Sequence, residues 1–452
     1  MYALQEILLR ASTHPIYIPL QYPKLCRQRG TNDGDSSDYT TVQLISLRDF
    51  PFLQKEHLLA SFSTLMRTDP KFLHSAYLSP SGGTGNTIGG MAQLYFVTDT
   101  SENRDQRVQF ACMLSKLRVI TDDDIVLNLH GGGIMYRSQD LIGNLIELAG
   151  GTELSVGFSA PDMAVLQAAQ RFRSNTLAAS SSRILQFAQY VSTLPEHERV
   201  IIRKIIYTSE PLLPSREKYL QNVLRVESIA SIFGSAEAGP CFASPPVKMG
   251  EASTVYREFV FDKNIVVVEI IGEDGTVIAD SLGMSDGWGQ VGEIVITSLC
   301  RLRNPLVRYQ TGDLGSLQPL QGTNYGSYDY HSLVFHGRNS AKSLTINGEY
   351  FDVKELENRV FSKPGYGVLD WQVIIEPVPT EEREEGMALD GLEFRVISKS
   401  QTDYKVFDRL KKDIVDDFVG PRTRVIMRRA EYEGLERGSL ARKVMKVVDR
   451  RL

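Results

Sequence analysis

The chain has 452 residues, 42 % of them hydrophobic and 23 % charged, with a formal net charge of −5. That length allows two or three domains, and that composition excludes a disordered, collagen-like or disulfide-framework protein. The mildly negative balance gives no reason to expect nucleic acid or an anionic membrane surface as a partner.

The four cysteines, Cys26, Cys112, Cys241 and Cys300, are far apart in sequence. No CxxC metal or redox pair is present, so free thiols in a reducing compartment are expected. The seven histidines show no HExxH spacing, which argues against a protein-ligated zinc. The N-terminal "MYALQEILLRASTHP" lacks the charged-then-apolar pattern of a signal peptide. No run approaches the roughly 18 apolar residues of a membrane span. The terminal "RRL" is a poor relative of a peroxisomal address, so a cytoplasmic location is expected.

In chain order, residues 29–39 read as an exposed polar loop and 54–67 as a helix. The strand-like "SAYLS" runs directly into "SPSGGTGNTIGG" at 79–90, which holds five glycines and four hydroxyl residues. Then short apolar runs alternate with helical stretches. "DIVLNL" (124–129), "ELSVGF", "NTLAAS", the end of "VIIRKIIYTS" and "SIASIFGS" read as strands. Between them, "SQDLIGNLIELAG" (138–150), "PDMAVLQAAQRF", "SRILQFAQYVSTL" and "PSREKYLQNVL" read as helices. Strand and helix alternate from Asp124 to Ser235, the pattern of a parallel or mostly parallel sheet. From "YREFVFDKNIVVVEII" through "GEIVITSL" to "LVRYQTGDLGSL" the chain is strand-rich, predicting a β-subdomain. Beyond Arg338, helices at 354–361 and 404–416, strands at 371–376 and 392–398 and a final basic strand or hairpin predict a small α+β domain. The expected fold class is therefore α/β. A large N-terminal domain (1–337) of mixed parallel α/β sheets plus a β-subdomain precedes a small C-terminal α+β domain (338–452).

The Gly-rich stretch can turn several backbone N–H groups, with hydroxyls beside them, toward an anion. It is not a Walker loop, because the Gly-Lys-Ser/Thr ending is absent, and its GxGxxxG spacing is one residue too long for a dinucleotide fingerprint. Downstream, "IFGSAEAGP" (232–240) ends a strand with Glu237 among small residues, and "RYQTGDLG" (308–315) places Asp313 in a turn. "FHGRNSAKSLTINGEYFDVKELE" (335–357) brings Arg338, and "RGSLARKVMKVVDRRL" brings Lys443 near the end. A second pattern, "HGGG" at 130–133, is an esterase oxyanion signature, and "GFSAP" (157–161) begins like a nucleophile elbow. Its fifth position is proline instead of glycine, and the two elements lie only about 24 residues apart, so a serine hydrolase is disfavoured.

Taken in order, the Gly-rich loop, "YTSEPLLPSREKYL" (207–220), "FGSAEAGP", "RYQTGDLG", the "GR" at 337–338 and the lysine-bearing terminus resemble the AMP-forming acyl-adenylating superfamily, in its phenylacetate–CoA ligase-like branch. The resemblance covers residues from about 75 to the end. It implies an enzyme that joins a carboxylic acid to AMP from ATP and then passes the acyl group to a nucleophile, usually the thiol of CoA. It implies that Ser81, Gly82, Gly83, Thr84 and Gly85 cradle the β- and γ-phosphates. Glu237 would hold Mg²⁺, a hard cation that takes carboxylate oxygens. Asp313 would accept both ribose hydroxyls, and Arg338 would contact ribose or phosphate. Glu210, Pro211, Phe233, Gly234 and Ser235 would line the adenine, and His130 would flank the acyl pocket, with Tyr136, Tyr207 and Phe233 as candidate walls. Lys443 would bridge the attacking carboxylate and the α-phosphate, and Arg442, where the family has glycine, leaves Lys446 as an alternative.

Three positions depart from the family pattern. Asn86 replaces the basic residue of the phosphate loop, Ala236 replaces a threonine before the metal carboxylate, and Ser340 replaces an acidic hinge residue. The expected function is an ATP-, Mg²⁺- and CoA-dependent ligase for a small aromatic or hydrophobic acid, with a C-terminal domain that moves between half-reactions. The alternatives are transfer to an amine or a separate carrier protein, and an impaired, nucleotide-binding pseudo-ligase.

Overall fold

The computed structural model describes residues 1–20, 45–80, 94–133, 135–208, 212–248, 257–319, 330–338, 344–346, 349–351, 353–379, 381, 390–399, 404–419, 423–437 and 444–450. Helices α1 (Leu4–Ser12) and α2 (Lys55–Thr68) come first. The antiparallel pair β1 (Ala76–Pro80) and β2 (Tyr95–Asp99) then flanks the Gly-rich stretch, and α3 (Thr100–Lys116) follows. A reciprocal box starts that helix: Ser101 N–H donates to Asp99 and Asp99 N–H donates to Glu102.

The predicted alternation is present. It runs β3 (Ile125–Asn128), α4 (Ser138–Leu148), β4 (Thr152–Ser155), α5 (Asp162–Phe172), β5 (Thr176–Ser180), α6 (Ser181–Ser192), β6 (Lys204–Thr208), α7 (Pro214–Leu224) and β7 (Ser228–Ser235). The five strands pair in parallel in the order β4-β3-β5-β6-β7. Every residue of β5 is buried, as expected for a strand covered on both faces.

The strand-rich stretch supplies β8 (Gly239–Ala243), β9 (Val247–Lys248), β10 (Arg257–Asp262), β11 (Val266–Ile271), β12 (Val277–Asp280), β13 (Gly292–Ser298), β14 (Tyr309–Gln318) and β15 (Tyr330–Arg338). These strands pair antiparallel, but they continue the parallel sheet instead of standing apart from it. One sheet of thirteen strands runs β12-β11-β13-β14-β15-β10-β8-β7-β6-β5-β3-β4, with β9 beside β7. The parallel half meets the antiparallel half along β7 and β8, from Ile232 with Ala243 to Ser235 with Gly239, and β10 joins β8 at a single register pair, Val260 with Ala243. Strand β14 is the fourth neighbour from β7, about 19 Å away in a flat sheet. Yet the Tyr309 hydroxyl lies 3.4 Å from Glu237, which follows β7. The antiparallel half must therefore curl over, as strongly twisted sheets do. Phe233 on β7 fills the inside of that curl, 5.2 Å from the Phe335 ring on β15 and 5.9 Å from Phe259 on β10.

The C-terminal residues form β16 (Leu344–Ile346), β17 (Glu349–Phe351), α8 (Val353–Leu356), β18 (Val368–Pro377), β19 (Asp390–Ser398), α9 (Tyr404–Ile414), β20 (Arg424–Arg429) and β21 (Val447–Asp449). A four-stranded sheet, β20-β19-β18-β21, has its own core around Trp371, Phe361, Phe394 and Leu410. A second cluster joins this unit to the large sheet's helices: Leu369, Ile397, Tyr432 and Val444 pack with Leu212, Tyr219 and Leu220. No described helix is long and apolar enough to cross a membrane.

Candidate active site

In a parallel α/β sheet, side chains that follow the carboxyl ends of neighbouring strands share one edge. His130 follows β3, residues 209–211 follow β6, and Glu237 follows β7. The topology therefore places His130 and Glu237 along one edge of the sheet. Residues 209–211, with the candidates Glu210 and Pro211, lie outside the described residues.

Glu237 occupies the tight turn between β7 and β8. Two glycines make that turn. At Gly234 an added Cβ would sit 2.4 Å from the Gly239 carbonyl oxygen, and Gly239 has φ +75°, where side chains are strained. Ser235 Oγ accepts from the Ala238 N–H at 3.1 Å and closes the turn. The Glu237 side chain is almost completely buried, at 4 % exposure. Its only partner among the described residues is the Tyr309 hydroxyl, which donates to Oε1 at 3.4 Å. A buried carboxylate without a cationic partner is unfavourable by several kcal/mol. A hard divalent cation would supply the missing charge, and Mg²⁺ characteristically uses one or two protein carboxylates together with substrate phosphates. The site fits such an ion through this one carboxylate. Among the described residues there is no cluster of three acidic, His or Cys side chains that would hold a metal without substrate.

Strand β14 links that turn to the second pair of candidates. Tyr309 begins the strand, and Asp313 lies four residues on, at most about 13 Å along it. Gly312 takes φ +72° just before Asp313, and the Asp313 N–H donates to Thr311 Oγ1 at 3.1 Å. Asp313 is buried at 5 % exposure. Its cross-strand partner is Arg338 on β15, so the backbone register sets these two sequence-distant candidates opposite each other. Residue Arg308, immediately before Tyr309, is held at φ +51°. Its guanidinium pairs with buried Glu269 at 3.0 Å and donates to the Phe50 carbonyl at 2.9 Å. These bonds offset the backbone strain and fix where β14 starts.

His130 is buried, with Nδ1 3.1 Å from the Ser138 hydroxyl at the start of α4 and its carbonyl accepting from Phe158 N–H at 3.0 Å. Tyr136 folds back on this turn: a Cβ at Gly131 would lie 3.6 Å from its ring. Tyr207 is buried on β6, and Phe233 joins a group with Phe242, Phe259 and Phe335. The "GFSAP" loop is built as a bracket. Arg183, itself buried, donates to the carbonyls of Phe158 (3.2 Å) and Ala160 (2.9 Å) and pairs with Asp162 (2.5 Å).

Ser81, Gly82, Gly83, Thr84 and Gly85 lie outside the described residues, as do Asn86, Ser340 and Lys443. Lys446 is described. Its ammonium is hydrogen-bonded to buried Asp370 and stands 5.4 Å over the Trp371 ring. Burial pushes the Cys241 thiol up to about 12 and that of Cys300 up to about 11, so neither is a ready nucleophile.

Sequence reasoning did not single out three residues around Glu237: Tyr309, Gln106 and Arg301. Gln106 donates from Nε2 to the carbonyls of Ala238 (2.8 Å) and Pro240 (3.2 Å), and Arg301 donates from Nε to the Glu237 carbonyl (3.3 Å). Tyr309 stood inside a quoted motif, but nothing local marked Gln106 or Arg301.

No family model matches the chain. It is similar to the phenylacetate–coenzyme A ligase of Pseudomonas putida, 25 % identical over 300 residues, covering 65 % of this chain and 62 % of that protein. The matched stretch thus spans less than two thirds of that relative. Among solved structures it resembles 2-hydroxyisobutyryl-CoA ligase in its postadenylation state with 2-HIB-AMP: TM-score 0.63, 16 % identity, 98 % of this chain and 89 % of that one. The same ligase with 2-HIB-AMP and CoA in its thioesterification state gives a TM-score of 0.52 at 18 % identity over the same shares.

Proposed function

We propose that this chain, a member of the AMP-forming acyl-adenylating superfamily, is an ATP-dependent ligase that joins a carboxylic acid to the thiol of CoA. In the first half-reaction a carboxylate oxygen attacks the α-phosphorus of ATP and pyrophosphate leaves. In the second, the CoA sulfur attacks the acyl carbonyl, AMP leaves, and the thiol proton is lost. The observation that carries this reading is the buried Glu237, with no cationic side chain beside it among the described residues, joined through Tyr309 and strand β14 to Asp313 and its register partner Arg338. One nucleoside triphosphate can reach both ends of that arrangement, ribose at Asp313 and phosphates toward Glu237. Mg²⁺ bound there would neutralise phosphate charge.

The chain's own residues would do the rest. Asp313 would orient the ribose as a two-lone-pair acceptor, with Arg338 beside it. Residues 81–85 would bring backbone donors to the departing phosphates, and 209–211 together with Phe233, Gly234 and Ser235 would flank the base. The acyl group would lie near His130, Tyr136 and Tyr207. The aromatic cluster around Phe233 supports an aromatic or otherwise apolar acid. Residues 1–337 would form the nucleotide- and acyl-binding domain and 338–452 a mobile domain carrying Lys443. The better superposition on the postadenylation form than on the thioesterification form of one and the same ligase supports a docked arrangement belonging to the first stage of turnover.

Acid-dependent exchange of labelled pyrophosphate into ATP, run over aromatic and aliphatic acids, tests the first half-reaction. Exchange with an apolar acid, followed by thioester on adding CoA, is the expected result. Exchange without thioester would move the acceptor to an amine or a carrier thiol, and ATP binding without exchange for any acid would overturn the ligase reading.

A further inference from the structure

We propose that Gln106 and Arg301 are positioning residues for Glu237: they grip the backbone of the turn that carries its carboxylate and thereby set the metal requirement of ATP binding. This rests on the reading of Glu237 as the metal ligand.

The grip is specific to that turn. Gln106, on α3 and 1 % exposed, donates from its amide to the Ala238 and Pro240 carbonyls at 2.8 and 3.2 Å, with a longer contact to Cys241 Sγ at 4.0 Å. Arg301, also 1 % exposed, donates from Nε to the Glu237 carbonyl at 3.3 Å and from Nη1 to the Cys300 carbonyl at 3.3 Å. No carboxylate lies within ion-pair distance of its guanidinium among the described residues. A buried charge held only by carbonyl oxygens is an unfavourable way to fill a core. Bonding to carbonyls that would otherwise be buried and unmet offsets part of that.

The turn presses against both side chains because residue 239 has no Cβ. One placed there would lie 2.4 Å from Gln106 Oε1 and 2.6 Å from Arg301 Nη2. The two gripping residues are themselves tied together. Glu102, one helical turn before Gln106, accepts from the N–H groups of Leu302 (2.9 Å) and Arg303 (2.8 Å), directly after Arg301. Helix α3, residues 301–303 and the Glu237 turn thus form one buried unit. A metal carboxylate must be held to a fraction of an ångström, and groups that orient a ligand typically affect metal affinity by roughly 10- to 100-fold.

The test measures ATP and AMP binding by calorimetry as Mg²⁺ is varied, with no acid present. Gln106→Glu keeps the side chain's size but turns acceptors toward two carbonyls. Gln106→Met deletes the donors without adding charge, and Arg301→Lys keeps the charge but loses the planar fork. The expected result for any variant that folds is a rise of about tenfold or more in the Mg²⁺ needed for half-maximal ATP binding. Metal-free AMP binding should stay within about twofold of the unaltered protein, which general loosening of the site would not allow. Glu237→Gln is the reference. If it leaves the Mg²⁺ requirement unchanged, the metal reading fails and the inference falls with it. If it shifts the requirement and the folded Gln106 and Arg301 variants do not, the positioning role alone is overturned.

Discussion

The turn at 236–238 and the C-terminal segment at 444–449 each place one charged side chain, and they do so by opposite means. The Glu237 turn has its backbone pinned by neutral and cationic donors, while among the described residues the carboxylate meets only a tyrosine hydroxyl. Lys446 has its charge met directly by Asp370, inside a network that also holds Glu357 and Arg216. A group whose charge is already satisfied has little to offer a ligand, whereas a buried group left without a counter-charge is poised for one. On that ground we propose metal binding for Glu237 and a structural part for Lys446, and keep Lys443 as the candidate for the reacting centre.

The largest expected effects break the first half of this comparison. Glu237→Gln keeps the turn and removes the charge. It should lower pyrophosphate exchange by roughly a hundredfold or more, the usual scale for losing a preorganised electrostatic group. Lys443→Ala should fall as far in exchange while sparing thioester formation from pre-made acyl-AMP. If Lys446→Ala shows that split instead, the assignment of the two lysines is reversed.

The next effect sharpens the second half. Removing Lys446 leaves Asp370, 3 % exposed, without its ion-pair partner. Breaking a buried pair from one side costs about 3 kcal/mol or more. Lys446→Ala should therefore lower the melting temperature of the protein while the folded fraction keeps its exchange rate. Unchanged melting would show that the Asp370–Lys446 pair contributes nothing to stability.

How much of this was legible in the sequence follows the range of the interactions. The α/β alternation from residue 124 to 235 depends on local period and buried runs, and the observed strands and helices fall within a few residues of those expected. That β10 to β15 continue the same sheet was not legible, because their junction with β8 rests on one register pair, Val260 with Ala243. The resemblance to the acyl-adenylating superfamily pointed to Glu237 and Asp313. The reason for the glycines in "FGSAEAGP", a carbonyl 2.4 Å from where a Cβ at Gly234 would be, exists only in three dimensions. Gln106 lies 132 residues from the carbonyl it holds and Arg301 lies 64 away, distances over which no spacing rule operates.

The smallest expected effect concerns pH and the contact between the two units. Arg216 on α7 pairs with Glu357 at 3.1 Å, and the same Glu357 oxygen accepts from the Trp371 indole at 3.2 Å. Burial alone would raise the Glu357 and Asp370 carboxyls, but Lys446 and Arg216 outweigh it and hold both below the ordinary range. A depressed carboxyl stabilises the arrangement in full above its unfolded value, about 4, and that contribution is lost as pH falls through the lower folded value. The docked arrangement should therefore be unaffected at pH 5 and loosen only below about pH 4, where the pair protonates. Lys399, which donates to the Ser215 carbonyl at 3.4 Å, and the shared apolar cluster do not depend on those carboxyls and should blunt the change. Small-angle scattering between pH 5 and 3, with circular dichroism to confirm retained structure, would follow it. Glu357→Gln should flatten the profile, because its side chain is neutral throughout. If the substituted and unaltered proteins expand with the same midpoint, the Arg216–Glu357 pair is not what holds the units together.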